Sequence, residues 1–245
     1  MKKLLFIASA ILLLWSCGDD EAPNFSLAQF IEDQGQLSVK DSSIIACAAG
    51  ATDSVRVFFY PEPGFEDFRL WKLEGLGSDP SDFKNYVPLV APTFDVFNGY
   101  LRYFFLTEEE GGTWVTVTGK DQTTLTIAQP ILLKQSSFPT ENSPDALTID
   151  QSEDLAPRFT WEPGNYPGTI IFFQVVADGD RNLLSGTYTV DQTWQFYDLI
   201  NVVLNIRDVT PIPQLNPKSD YSFTLMGVTR DNWVNVFMEV PFSTP

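Results

Sequence analysis

Turn chemistry cuts this chain into short pieces, and nothing else in the sequence restricts its fold as strongly. After residue 17 no stretch sustains a helical apolar repeat. Runs of β-branched and aromatic residues alternate instead with clusters of Gly, Pro, Asn and Asp. Ser54-Val55-Arg56-Val57-Phe58-Phe59-Tyr60 stops at Pro61-Glu62-Pro63-Gly64. Residues 114–118 alternate, turn at Gly119-Lys120-Asp121 and return as residues 124–127. Further strand-like runs cover 44–49, 68–73, 100–106, 147–149, 158–161, 169–177, 185–190, 193–197, 202–206, 223–228 and 233–237. Short strands spaced by turns pack face to face, so the chain reads as all-β and sandwich-like.

The strand series occurs twice. Arg56-Val57-Phe58-Phe59-Tyr60-Pro61-Glu62-Pro63-Gly64 parallels Arg158-Phe159-Thr160-Trp161-Glu162-Pro163-Gly164. Between the copies, residues 135–144 carry Ser136, Ser137, Pro139, Asn142 and Ser143, and little that can pack. The reading is a sandwich over 41–134, a linker over 135–144 and a second sandwich over 145–245. Residues 68–73 alternate apolar with basic, which predicts one buried and one wet face. Residues 74–95 read as loop.

At Phe159-Thr160-Trp161-Glu162-Pro163 the second half resembles the second strand of a fibronectin type III domain, whose tryptophan fills the core. Leu215, Pro217, Tyr221, Phe223, Leu225 and Gly227 are similar to the turn and strand of that family's tyrosine corner. The first half is a weaker relative, with Tyr60 in place of the core tryptophan and Trp114 in place of the corner tyrosine. The resemblance implies two tandem immunoglobulin-like sandwiches with spacer, adhesion or interaction roles. It brings no shared catalytic residues, because function lives in sites grafted onto folds.

The N-terminus reads as an address. Met1-Lys2-Lys3 is basic, and residues 4–15 are apolar except for Ser9. That run is too short to span a bilayer, which takes about 20 apolar residues. Ser16-Cys17 at its end resembles a bacterial lipobox, so residues 1–16 are expected to be a lipoprotein signal peptide. The resemblance implies lipid on Cys17 and an outer-membrane location. Asp19, Asp20 and Glu21 resemble an export signal for the cell surface, with a solvated acidic tether on a periplasm-facing anchor as the other reading. Residues 17–40 are expected to be that tether, with room for one short amphipathic turn at Phe25, Leu27, Phe30 and Ile31, ended by Gly35.

Composition then removes whole classes of chemistry. The net charge is −17, and without Lys2 and Lys3 it falls to −19. Such a surface repels nucleic acid, whose binding rests on Lys and Arg neutralising phosphates. The chain contains no histidine, which excludes Ser-His-Asp and Cys-His catalysis. Of the two cysteines, lipid on Cys17 leaves Cys47 unpaired in an apolar run, where a buried structural thiol is expected.

Three candidate sites remain. Asp178 and Asp180 flank a glycine and offer carboxylates to calcium, although a hairpin turn explains them as well; Glu108-Glu109-Glu110 reads the same way. Trp194, Phe196 and Tyr197, or Trp233 beside Asp231-Asn232, form a possible stacking platform for a sugar ring, against core filling as the ordinary use of large aromatics. Paired carboxylates for glycoside cleavage need a cleft that small sandwiches seldom have. The expected function is a non-enzymatic, surface-anchored lipoprotein without cofactor, binding a protein or glycan as an accessory of an outer-membrane assembly. A passive spacer and a carboxylate-based glycoside hydrolase are the alternatives.

Overall fold

The computed structural model describes residues 25–75, 77–107, 112–153, 155–162 and 168–245. The first half comprises α1 (Leu27–Asp33), β1 (Ser38–Ile44), β2 (Ala46–Ala51), β3 (Ser54–Phe59), β4 (Glu66–Leu73), β5 (Tyr86–Leu89), β6 (Thr93–Val96), β7 (Leu101–Thr107), β8 (Trp114–Lys120), β9 (Thr124–Ala128) and β10 (Ile131–Leu132). The second half comprises β11 (Leu147–Asp150), β12 (Arg158–Trp161), β13 (Thr169–Asp178), β14 (Leu183–Thr189), β15 (Thr193–Gln195), β16 (Val202–Asn205), β17 (Asp220–Thr229) and β18 (Trp233–Ser243). The protein is all-β apart from α1 and two short 3-10 turns among the described residues.

Each half is an immunoglobulin-like sandwich. In the second, β11-β12-β15 faces β16-β14-β13-β17-β18, the fibronectin type III arrangement. Trp161, Phe159 and Phe223 are buried between the sheets, with the two phenyl rings stacked 4.0 Å apart. The Tyr221 hydroxyl accepts the Asn216 N–H at 2.8 Å, and Leu215 is buried beside this core. In the first half, β2-β3-β7-β6 faces β1-β9-β8-β4-β5, and β10 adds to β8. Val55, Val57 and Phe59 meet Leu70, Val115 and Val117 between them.

The two sandwiches share a sheet. β18 pairs in parallel with β2, Trp233 opposite Ala48 and Val234 opposite Ala49. Nine strands therefore run without interruption from β16 to β6. Side chains alternate across a strand, so the faces turned away from both sandwich cores also carry apolar residues. Phe97 and Leu101 pack there against Phe173, Val175, Met226 and Val234, forming a third apolar layer. Contacts tie the two arms across it. The Tyr100 hydroxyl donates to the Ile206 carbonyl at 2.7 Å, and the Asn98 amide donates to Asn182 Oδ1 at 2.8 Å.

The segment expected to carry little that packs, residues 135–144, is a strap over this seam. Phe138 packs against the first core. The Thr140 hydroxyl donates to the Val234 carbonyl at 2.6 Å and accepts the Gly50 N–H at 2.8 Å. Glu141 exchanges backbone hydrogen bonds with Asn235 and Phe237. Backbone that runs between two sheets must find partners for its polar groups, and the stretch of β18 beyond its short pairing with β2 supplies them.

Much of the stretch expected to be a tether, residues 17–40, is folded: α1 and the start of β1 lie within it. Ser26 caps α1 by accepting the Gln29 N–H at 3.2 Å, and Leu27 and Phe30 are buried. They cover Trp71, Leu73 and Tyr86 on the outer side of β4 and β5. β1 then pairs in parallel with β9 from Ser38 onward. The expected wet face of residues 68–73 is covered for the same reason. Trp71 is fully buried, with its indole N–H donated to Thr118 Oγ1 at 2.9 Å, and Arg69 lies 4.6 Å over the Phe30 ring. A large apolar side chain contributes about 1.5–3 kcal/mol when fully buried, which exceeds the backbone cost of ordering one helical turn only when several act together.

Candidate binding site

The candidate residues separate rather than converge. Cys17, Asp19, Asp20 and Glu21 lie outside the described residues, as do Glu108, Glu109 and Glu110. The platform expected at Trp194, Tyr197 and Trp233 is corrected by burial. Trp194 is 1 % exposed, stacks 5.9 Å from Phe159 and donates its indole N–H to the Asp198 carbonyl. Trp233 is 0 % exposed and belongs to the first half's core, far in the packing from Trp194 in the second. Tyr197 is half-buried and donates its hydroxyl to the Leu184 carbonyl at 3.2 Å. Strand alternation points both indoles inward.

Asp178 closes the β13–β14 hairpin. Its Oδ1 accepts the N–H groups of Asp180 at 3.0 Å and Asn182 at 2.8 Å. Its Oδ2 accepts the Asn182 amide at 3.0 Å, so the carboxylate offered as a calcium candidate serves the hairpin turn. Among the described residues no three Cys, Asp or Glu side chains gather as a metal site. Cys47 is half-buried, and burial pushes its thiol up to about 12.

A cleft of about 650 Å³ opens where the two sandwiches join. That size suits a ligand pocket, and domain junctions are a common place for one. On the first half's side it is walled by Phe83, from a 3-10 turn, by Trp114 at the start of β8, and by Pro80 and Pro130. The second half contributes the β17–β18 turn, Arg230-Asp231-Asn232. Asn232 holds a left-handed φ of 59° that lets the turn close in so few residues.

That turn is bolted across the junction. The Asn232 amide donates to the Pro130 carbonyl at 3.1 Å, and its own carbonyl accepts the Ala48 N–H at 3.0 Å. The Asp231 carbonyl accepts the Leu132 N–H at 3.0 Å. The Asp231 carboxylate is ion-paired with Lys134 and accepts the Thr229 hydroxyl. Burial alone raises the pKa of such a carboxyl, but the Lys134 ammonium and the Thr229 hydroxyl outweigh it and hold Asp231 below the usual range. The cleft thus has a fixed, ionised floor, half-buried aromatic walls, and Arg230 and Asp41 exposed at its rim. An ionised, ion-paired Asp231 has no proton to give. The arrangement suits holding a ligand with an apolar body and a polar end.

Sequence reasoning singled out the turn Asp231-Asn232, which lines this cleft, together with the side chain of Trp233, which is buried away from it. The aromatic groups that face the cleft are Trp114 and Phe83. Trp114 was read as a stand-in for a corner tyrosine and Phe83 lay in apparent loop. Their joint position depends on how the halves dock, which no local pattern encodes.

No protein-family model and no curated protein matches the chain. Among solved structures it is similar to the chicken CNTN1 FN1–FN3 domains, at 9 % identity and a TM-score of 0.31, covering 84 % of this chain and 65 % of that one.

Proposed function

We propose that the chain is a non-enzymatic binding module, held at the outer membrane by lipid on Cys17 and displayed at the cell surface, where it serves a larger assembly as its protein- or glycan-binding part. The observation that carries the binding role is the junction cleft, with Trp114 and Phe83 on its walls and the Asp231–Lys134 pair in its floor. Sandwiches of this class are scaffolds, and a built concave site is what turns one into a receptor. A passive spacer gains nothing from such a cleft. A carboxylate hydrolase is disfavoured, since the only carboxylates among the described lining residues are Asp41 and Asp231, and Asp231 is committed to Lys134.

The test has two parts. Protease treatment of intact cells removes the chain if it is surface-displayed, and Cys17→Ser abolishes its fractionation with membranes. Partner capture by crosslinking is then compared between the natural chain and Trp114→Ala. Retention of every partner by Trp114→Ala sinks the cleft as the binding site.

A further inference from the structure

The third apolar layer is not filled to its edge, and where it opens it exposes a row of aromatic rings. Phe94 of β6 stacks on Tyr103 of β7 at 5.4 Å, Tyr103 meets Phe58 of β3 at 5.5 Å, and Phe58 meets Phe237 of β18 at 6.4 Å. Phe58 is buried and forms the floor, Tyr103 and Phe237 are half-buried, and Phe94 is 47 % exposed at the outer end. β2 lies between β3 and β18, and its sequence, Ala46-Cys47-Ala48-Ala49-Gly50-Ala51, explains the depression. Small side chains there let rings from the flanking strands approach across it. Hollows of about 560 and 480 Å³ lie on either side and share Arg56, Phe58 and Phe237.

Charge and unmet hydrogen bonding add what the rings alone cannot say. Two carboxylates line the groove, and each is spent on its own arginine: Asp95 on Arg102 at 3.1 Å and Glu239 on Arg181 at 3.0 Å. Arg56 is exposed in the middle of the row, 5.6 Å over the Tyr103 ring, and makes no ion pair among the described residues. Thr224, 1 % exposed, lines one hollow with its hydroxyl unpartnered, and the buried Gln135 Oε1 is unpartnered in the other. A buried polar atom without a partner carries a desolvation cost that a ligand hydroxyl recovers.

We propose that this groove binds an acidic oligosaccharide, with pyranose rings packed against Tyr103 and Phe237 and a uronate carboxylate held by Arg56. Planar rings in a row suit the C–H faces of successive sugars, while hydroxyls reach Thr224 and Gln135. The guanidinium fork matches a carboxylate in two parallel hydrogen bonds. An extended peptide fits less well, because the row crosses the strands on a sheet face, whereas backbone pairing would lay a peptide along the edge strand β6 instead. The net charge of −17 repels a polyanion at long range, so recognition rests on Arg56 at contact distance and favours short chains. The groove shares no lining residue with the junction cleft, so the two sites fail independently.

The experiment is calorimetric titration of the full chain in detergent with oligogalacturonate of three to six units, and with uncharged galactose oligomers of the same length. The expected result is saturable binding of the uronate at least about tenfold tighter than of the neutral sugar. Arg56→Leu weakens the uronate by at least about tenfold, Arg56→Lys by less, and Tyr103→Ala weakens both sugars. Arg56 is solvent-exposed, so unchanged thermal midpoints for its variants establish that they fold. Equal affinity for charged and neutral sugars, no loss in Arg56→Leu, or no binding of the uronate overturns the proposal.

Discussion

Trp233 of the last strand lies directly opposite Ala48 of the second, and its ring fills the first half's core while Val236 and Met238 further along the strand fill the other's. Its indole N–H is donated to the Phe138 carbonyl in the strap at 2.9 Å. One residue thereby joins the first sandwich, the shared sheet and the connecting segment. Trp233→Ala is expected to cost about 3–5 kcal/mol, the range for deleting a large buried aromatic. It also leaves the Phe138 carbonyl unpaired. Urea unfolding followed by far-UV circular dichroism checks this. The natural chain should unfold in a single transition and the variant in two, and a variant still unfolding in one transition within 1 kcal/mol would show the halves do not depend on it.

The corner at Tyr221 supports a smaller prediction. Its hydroxyl accepts the Asn216 N–H, and Tyr221→Phe removes the acceptor while keeping the ring against Phe242 at 5.6 Å. The expected loss is about 1–2 kcal/mol, the cost of stranding one partly buried donor. The same denaturation experiment reads it, with the m-value unchanged.

Acid should loosen the seam and the outer sheet together. Burial works against ionisation of Asp67, but Arg69 at 2.9 Å and Lys120 at 3.0 Å hold its pKa down, and Lys134 and Thr229 do the same for Asp231. A carboxyl whose folded pKa lies below its unfolded value of about 3.9 binds fewer protons when folded. Its contribution is therefore complete above about pH 4 and is lost as pH falls through the folded value. Asp231→Asn should be less stable than the natural chain at pH 7, and the gap should narrow as pH falls from 4 to 2.5. Denaturation midpoints across that range test the sign, and an equal gap at both pH values would reject it.

Cys47 should be chemically silent. Burial pushes its thiol up to about 12, so almost no thiolate exists at pH 8. In a Cys17→Ser chain it is the sole thiol, since the sequence has two cysteines. A chromogenic disulfide reagent is expected to label it slowly under native conditions and at once in denaturant. Fast native labelling would mean that the third layer opens readily.

How much of this was legible depends on burial. The strands that fill the two sandwich cores, such as β3, β8, β13 and β17, read as runs of β-branched and aromatic residues because most of their positions are buried on both faces. β1 reads Ser38-Val39-Lys40-Asp41-Ser42-Ser43-Ile44 and is mostly exposed, so it left no apolar pattern. β5 contains Pro88 and β6 is a short edge, both features that mask strands in sequence. Leu27 and Phe30 were visible as a helical pair, but the face they cover is contributed by Trp71 and Tyr86. The aromatic row was not legible at all. Phe94, Tyr103, Phe58 and Phe237 come from four strands, and only the parallel β18–β2 seam brings the last of them beside the others.

Where the folded body begins turns on α1, and Phe30 is where to test it. Its ring sits 5.2 Å from Trp71, beneath Arg69, and is 4 % exposed. Phe30→Ala is expected to cost about 3 kcal/mol if α1 belongs to the fold, the low end for a buried phenylalanine because a peripheral helix can shift to close part of the cavity. A helix that merely leaned on the surface would cost little. The sharper readout is limited proteolysis. With α1 docked, the backbone from Leu27 to Asp33 is protected, and cleavage near Gln36-Leu37 is slow because β1 follows at once in the sheet. Phe30→Ala should expose both sites, and mass spectrometry of the first fragments places the cuts. If the natural chain is cut as fast as the variant between residues 27 and 37, the tether extends to β1 after all.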